Sequence, residues 1–201
     1  MSTYFVSGGS GFVGGRVIRD LRARGDAVYA LARTPKAAER IRRAGAEPVD
    51  GELEDPEALR DGMRGADVVI HAGAKVDDWG RAAEFERVNV EGTRNVLWAM
   101  RQAGVPRVVF VSPVTVLAAG RPLVRVDEST PAPHRALGWY HRSKLESERA
   151  LFGSDGEGLE AIVVRFAMAW GPGDRPTIAS SPSPSDPNSA RSDSSLERWY
   201  Q

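Results

Sequence analysis

Short apolar runs rich in β-branched residues alternate with stretches whose apolar positions recur every three or four residues. Continuous apolar runs fit parallel strands covered on both faces, and the wider period fits amphipathic helices. The runs predict strands at 3–7, 27–32, 47–50, 67–71, 107–112 and 161–166. Helices are expected over 12–24, where Val13, Val17, Ile18 and Leu21 share a face, and over 36–44, 56–63, 85–103 and 139–152. Gly25, Gly45, Gly65 and Gly104 stand where helices should stop, and Pro35, Pro56 and Pro106 mark turns or first helical positions. This βαβ rhythm predicts an α/β fold, a doubly wound parallel sheet in the order 3-2-1-4-5-6.

The pattern fades after Asp174. Residues 175–201 are rich in Ser and Pro with almost no aliphatic side chains, so they are expected to form a disordered tail behind a 1–174 domain. The 27 basic and 27 acidic residues cancel, which removes any global attraction to phosphate backbones or anionic lipid. The expected partner is therefore a small-molecule substrate, with no nucleic acid and no membrane. The absence of cysteine excludes disulfides and thiolate chemistry. No apolar run reaches the roughly 18 to 20 residues of a membrane span, and the first residues carry no leader pattern, so a cytoplasmic protein is expected. Only three of the basic residues are Lys (Lys36, Lys75 and Lys144).

The first strand leads directly into Gly8-Gly9-Ser10-Gly11-Phe12-Val13-Gly14 and then a helix. Glycines at this spacing allow a tight strand-to-helix turn and remove the Cβ atoms that would keep a pyrophosphate from the helix N-terminus. With the strand, helix and second strand in order, this is the opening of a dinucleotide-binding Rossmann fold. Gly8, Gly11, Phe12, Val13 and Gly14 are its expected cofactor residues. Where the second strand ends, an NAD-preferring fold usually places a carboxylate; here the chain reads Leu31-Ala32-Arg33. A guanidinium there can bind a 2′-phosphate, so NADP is the expected cofactor, with NAD the alternative.

Tyr140 and Lys144 form a Y-x-x-x-K in an expected helix and share one face. An ammonium beside a phenol favours the phenolate, bringing Tyr140 toward proton exchange with a substrate hydroxyl or carbonyl.

Together with Gly51-Glu52-Leu53, His71-Ala72-Gly73-Ala74, the Asn89–Leu97 stretch, Val126-Asp127-Glu128 and Trp170-Gly171-Pro172-Gly173, these motifs resemble the extended short-chain dehydrogenases/reductases. The resemblance is to the NAD-dependent epimerase/dehydratase and 3β-hydroxysteroid-dehydrogenase type and covers residues 3–174. It implies that Glu52 and Leu53 lie by the adenine and that Ala72, Gly73, Ala74 and Asn89 border the cofactor pocket. Lys144 would bind the nicotinamide ribose as well as tune Tyr140. A homodimer through helices 85–103 and 139–152 is also implied.

Three departures stand out. The position of the family's hydroxyl donor is Pro113, leaving Ser112 and Thr115 as the candidates for a bond to the reacting oxygen. Phe166 replaces a proline usual in the sixth strand. The chain runs into the Ser/Pro stretch where the family continues into a substrate-binding lobe, so that lobe is expected to be largely absent. The expected activity is hydride transfer between NADP and an alcohol/ketone carbon, weak at best in this chain. The alternatives are a nucleotide-sugar epimerase or dehydratase and a dinucleotide-binding remnant without turnover. His71 reads as a structural hydrogen-bonder, no metal site is indicated, and Arg40, Arg42 and Arg43 read as a solvated helix face.

Overall fold

The central apolar runs become strands because their side chains have somewhere to be buried on both sides. In the computed structural model, which describes residues 1–77, 79–120, 122–154 and 158–172, the strands are β1 Thr3–Ser7, β2 Ala27–Ala32, β3 Glu47–Asp50, β4 Val68–His71, β5 Arg107–Pro113 and β6 Glu160–Phe166. They form one parallel sheet in the order β3-β2-β1-β4-β5-β6. The order reverses between β1 and β4, which leaves a crevice at their carboxyl ends. All of this lies in the unit Met1–Ala169; of the second unit, Trp170–Gln201, only residues 170–172 are described. The expected disordered tail, 175–201, lies outside the described residues.

The helices are α1 Phe12–Ala23, α2 Pro35–Ala44, α3 Pro56–Gly62, α4 Ala82–Phe85, α5 Gly92–Ala103 and α6 Trp139–Ser154. On one side of the sheet Phe5, Val69, Val108 and Phe110 pack with Leu59, Val96, Met100 and Leu151 from α3, α5 and α6. On the other side Val6, Val28, Ala30 and Ile70 meet Ile18 and Leu21 of α1 and Ala38 and Ile41 of α2. No helix among the described residues is long and apolar enough to cross a membrane.

One expected element is built differently. The helix read as 85–103 is α4, a π-helical turn over Glu86–Glu91, and then α5. The Asn89 carbonyl in that turn takes hydroxyl protons from side chains rather than serving only the helical ladder, with Thr93 Oγ1 at 2.6 Å and Ser147 Oγ at 2.9 Å. Such hydroxyl bonds compete with regular backbone pairing, and π turns collect at functional sites.

Candidate active site

The glycine turn is set by close backbone approach. Gly8 has φ +75°, and a Cβ there would lie 2.6 Å from the Ala72 carbonyl carbon; one on Gly14 would lie 2.3 Å from the Gly8 oxygen. The turn thus seats against the loop after β4 and lets α1 start beside it. Asp55 and Thr34 cap α3 and α2 with side-chain oxygens. α1 opens at Gly11 with no side-chain cap and no acidic residue in its first turn. Its free N–H groups and positive dipole end face the crevice, the electrostatics an anion needs.

Gly8, Gly11, Phe12, Val13, Gly14, Arg33, Glu52, Leu53, Ala72, Gly73 and Ala74 all line one cleft of about 590 Å³. These eleven of the sequence-predicted cofactor residues meet in the cleft; Asn89, Tyr140 and Lys144 do not line it. The glycine cradle and uncapped helix fit a dinucleotide pyrophosphate. Leu53 is fixed from behind, since Asn95 Nδ2 donates to its carbonyl at 2.9 Å.

Two residues of this cleft escaped the sequence reading. Lys36 and Arg40 line it together with Arg33. Arg40 is exposed but is not only a solvated face: α2 starts immediately after Arg33, so its first two turns turn both cations toward the crevice. The signal available in the sequence is the i, i+4 pair Lys36 and Arg40 on one helical face, beside Arg33 at a strand end.

Asn89 connects the cleft to α6. Its Oδ1 accepts from the Lys75 N–H at 2.7 Å, and its Nδ2 donates to the Lys75 carbonyl at 3.1 Å and to Ser143 Oγ at 2.8 Å. Ser143 in turn donates to the Tyr140 carbonyl at 2.7 Å. A second chain runs beneath. The Thr93 hydroxyl is spent on the Asn89 carbonyl, so its oxygen accepts from His71 Nε2–H at 3.1 Å, and His71 Nδ1 accepts from the Ser7 hydroxyl at 2.6 Å. Ser7 Oγ accepts from the Gly73 N–H at 3.2 Å. Burial, and then the Lys144 charge, push His71 down to about 3, so it is a neutral hydrogen-bonder, as expected.

Tyr140 is half-buried and Lys144 is buried, one turn apart on α6. Lys144 Nζ sits 3.7 Å from the centre of the Phe110 ring. The ring face and the Glu148 carboxylate favour its ammonium, yet burial outweighs both and lowers Lys144 to about 7. The expected drift of Tyr140 toward phenolate is not what this arrangement gives: burial pushes the phenol up. The ammonium lies over Phe110, and desolvation dominates the phenol.

Ser112 and Thr115 are separated by the turn that Pro113 starts. Ser112 is the last β5 residue on the α6 side, buried, with a hydroxyl that has no hydrogen-bond partner. Thr115 sits half-buried in a 3₁₀ turn, Val114–Leu117. An orphan buried hydroxyl is costly and calls for an explanation, and of the two it is Ser112 whose hydroxyl is both buried and unpartnered. Behind Lys144, the buried Glu148 holds Arg165 of β6 at 2.7 Å, tying the helix to the strand next to Ser112.

Comparison with known proteins gives this geometry a context. The chain is 44% identical over 170 residues to a 4-hydroxy-2-methyl-3-oxo-4-farnesyl-3,4-dihydroquinoline-1-oxide ketoreductase of Stigmatella aurantiaca, covering 85% of this chain and 51% of that one. It is 33% identical over 178 residues to a 3-beta-hydroxysteroid dehydrogenase of Mycolicibacterium neoaurum, covering 85% and 48%. Among solved structures, a short-chain dehydrogenase/reductase superfamily protein of Agrobacterium tumefaciens with bound NAD superposes with a TM-score of 0.71 at 34% identity, covering 82% of this chain and 48% of the other. The NAD complex of Thermus thermophilus UDP-glucose 4-epimerase gives 0.77 at 27% identity, covering 87% and 58%. The chain spans about half the length of the curated relatives it matches. The NAD dependent epimerase/dehydratase family matches residues 4–186, so that the chain, on its sequence as on its fold, belongs to that family.

Proposed function

We propose that the chain is the cofactor-binding part of an NADP-preferring oxidoreductase acting between an alcohol and a ketone. The observation that carries the reading is the cationic rim of the cleft, where Arg33, Lys36 and Arg40 border the uncapped start of α1. When bound, a nicotinamide dinucleotide supplies or takes up hydride at the reacting carbon. The glycine turn and α1 would hold its pyrophosphate, and Arg33, Lys36 and Arg40 would neutralise a 2′-phosphate.

Tyr140 is the acid/base. Its buried phenol keeps its proton in the ligand-free chain, the state needed to protonate a carbonyl oxygen during reduction. Lys144 supplies the positive charge that offsets the phenolate once that proton has left. Ser112 donates its unpartnered hydroxyl to the same oxygen. The substrate is a small molecule whose recognition lies largely with residues that this chain does not share with its relatives.

Fluorescence titration with NADPH and NADH tests the cofactor preference. NADPH should bind more tightly, and Arg33→Ala should weaken it selectively by roughly 1.5–3 kcal/mol, with smaller losses for Lys36→Ala and Arg40→Ala. Equal affinities, or a preference for NADH, would refute the reading. Oxidation of NADPH by a generic ketone should be slow and should vanish in Tyr140→Phe. The likeness to the NAD-bound epimerase favours a second reading, a nucleotide-sugar epimerase, which would retain its cofactor and show no net oxidation.

A further inference from the structure

The segment that leaves β4 has no regular structure, yet it forms one wall of the cleft. Ala72, Gly73, Ala74 and Val76 line the cleft, and Lys75, between the last two, does not. A coil of this kind stays where its individual residues hold it, because no ladder of backbone bonds does so. The first two residues are held by β1, with the Ala72 N–H donating to the Ser7 carbonyl and the Gly73 N–H to Ser7 Oγ. Beyond them the contacts converge on Lys75. The Asn89 amide takes both its N–H and its carbonyl, and its ammonium donates to Asp77 at 2.8 Å and lies 3.2 Å from Glu84 of α4.

The Lys75 side chain is enclosed as well as paired. Its Nζ lies 5.3 Å from the centre of the Phe85 ring. Gly80, at φ +147°, passes so close that a Cβ there would stand 3.1 Å from that ring and 3.4 Å from Lys75 Cε. Asp77 and then Glu84 push the Lys75 pKa up, so it keeps its charge at pH values where Lys144 loses its own. An ion pair with exposed carboxylates adds little to the stability of a whole fold. It adds more to the position of a loop that few other contacts define. Glu84 and Asn89 belong to one continuous helical stretch, α4 followed by the π turn, so Lys75 fastens the loop to the same element at two points, by its backbone and by its charge.

We propose that Lys75 is a positioning residue for the dinucleotide: its ammonium, held by Asp77 and Glu84, fixes the loop so that Ala74 and Val76 stand as the wall of the cleft. The inference rests on the cofactor reading of that cleft and adds to it a residue outside the cleft that sets its affinity. Arg33, Lys36 and Arg40 would act on a 2′-phosphate by contact, whereas Lys75 acts through the loop. Its loss therefore weakens NADPH and NADH alike, and this separates its role from that of the cationic rim.

The test is Lys75→Met, which keeps the stem beside Phe85 and removes the charge, followed by NADPH and NADH titration, melting and hydrogen exchange of the ligand-free chain. Both dissociation constants should rise about fivefold or more while Tm falls by less than about 4 °C. The amide of residue 75 should exchange about tenfold faster, with the α1 amides unchanged. Lys75→Arg should restore most of the affinity. Glu84→Gln should weaken binding in the parent and add nothing in the Lys75→Met background, since the two groups act as one pair. Arg64→Met, which removes an exposed ion pair with Asp61 away from the cleft, should leave both affinities as they are. Affinities within about twofold of the parent, an unchanged residue-75 amide, additive Glu84 and Lys75 effects, no rescue by Arg, or an equal loss in Arg64→Met would overturn the proposal. So would a weakening confined to NADPH, which would put Lys75 on the 2′-phosphate, or a larger fall in Tm, which would make it a support of the fold. A parent that binds neither dinucleotide would defeat the cofactor reading and this role with it; a parent that binds while Lys75→Met binds equally well would defeat this role alone.

Discussion

β1 and β5 are both apolar parallel strands in one sheet, yet the regions around them are finished to different degrees. Around β1, helices cover both faces and the turn leaving the strand is fixed by backbone contacts too close for any Cβ. Among the described residues, only the α6 side of β5 is covered, the next strand has no neighbour on its outer edge, and Ser112 near the strand end keeps an unbonded hydroxyl. The first region forms the cleft proposed for a dinucleotide. The second carries the groups proposed for proton transfer but presents them next to surface that nothing in the described chain covers. Binding and chemistry are therefore separable here, and substitutions in the two regions should fail in different ways.

The largest effect belongs to the finished region. Gly14→Ala places a Cβ 2.3 Å from the Gly8 oxygen, and the only relief is to move the turn itself. The expected cost is about 3 kcal/mol or more, read as a fall in Tm of roughly 10 °C with loss of NADPH fluorescence titration. A variant that melts and binds like the parent would mean that the turn is looser than its contacts imply.

That turn was also the most legible part of the chain. The bounds read from the sequence for strands 3–7, 27–32 and 47–50 match those of β1, β2 and β3, because each short run is flanked closely by a helix signal or a glycine turn. The glycine turn and Arg33 follow from local chemistry, since glycine spacing and a strand end are sequence-local, whereas Glu52, Leu53, Ala72, Gly73, Ala74 and Asn89 come from the family resemblance. What escaped the reading depends on contacts distant in sequence. The π turn at Asn89 needs Ser147, 58 residues away. Burial of the Tyr140 phenol, set by the surrounding fold, opposes the expected drift toward phenolate. Arg40 looked like surface because one helix face can be both solvated and turned toward a cleft.

The next effect tests the unfinished region through its buried charge. Lys144 titrates near 7 in the folded chain and near 10.5 when unfolded. Between those values the unfolded state binds more protons, so stability rises with pH across that window and is lost as pH falls toward 7. Chemical denaturation of the parent should show a gain of roughly 3 kcal/mol between pH 7 and 9.5 that is missing in Lys144→Met. Parallel profiles for the two proteins would place the Lys144 ammonium in water rather than over Phe110.

Glu148→Gln comes third. It leaves Arg165 without its carboxylate, but the Arg165 side chain is 22% exposed and water takes up part of the loss. About 2 kcal/mol is expected, below the 3–5 kcal/mol of a fully buried pair. Because the Glu148 carboxylate favours the Lys144 ammonium, the same variant should shift the lower end of the Lys144 window to more acidic pH. A stability loss with an unmoved window would show that Glu148 serves the strand alone.

The smallest effect is the most specific to the comparison. Ser112 is buried with its hydroxyl unbonded, so Ser112→Ala breaks no hydrogen bond and removes the cost of keeping a polar atom out of water. Stability should stay level or rise by up to about 1 kcal/mol, a shift of a few degrees in a melting curve. Thr115→Ala, in the half-buried turn, should change it no more. If Ser112 is held ready for a substrate oxygen, the alanine variant should lose turnover by roughly 100-fold or more while NADPH affinity is untouched, and Thr115→Ala should lose little. A drop in stability of more than about 1 kcal/mol on removing the Ser112 hydroxyl would reverse the argument. The hydroxyl would then be bonded inside the folded chain and have nothing to offer a reacting oxygen, and the β5 end would be finished after all.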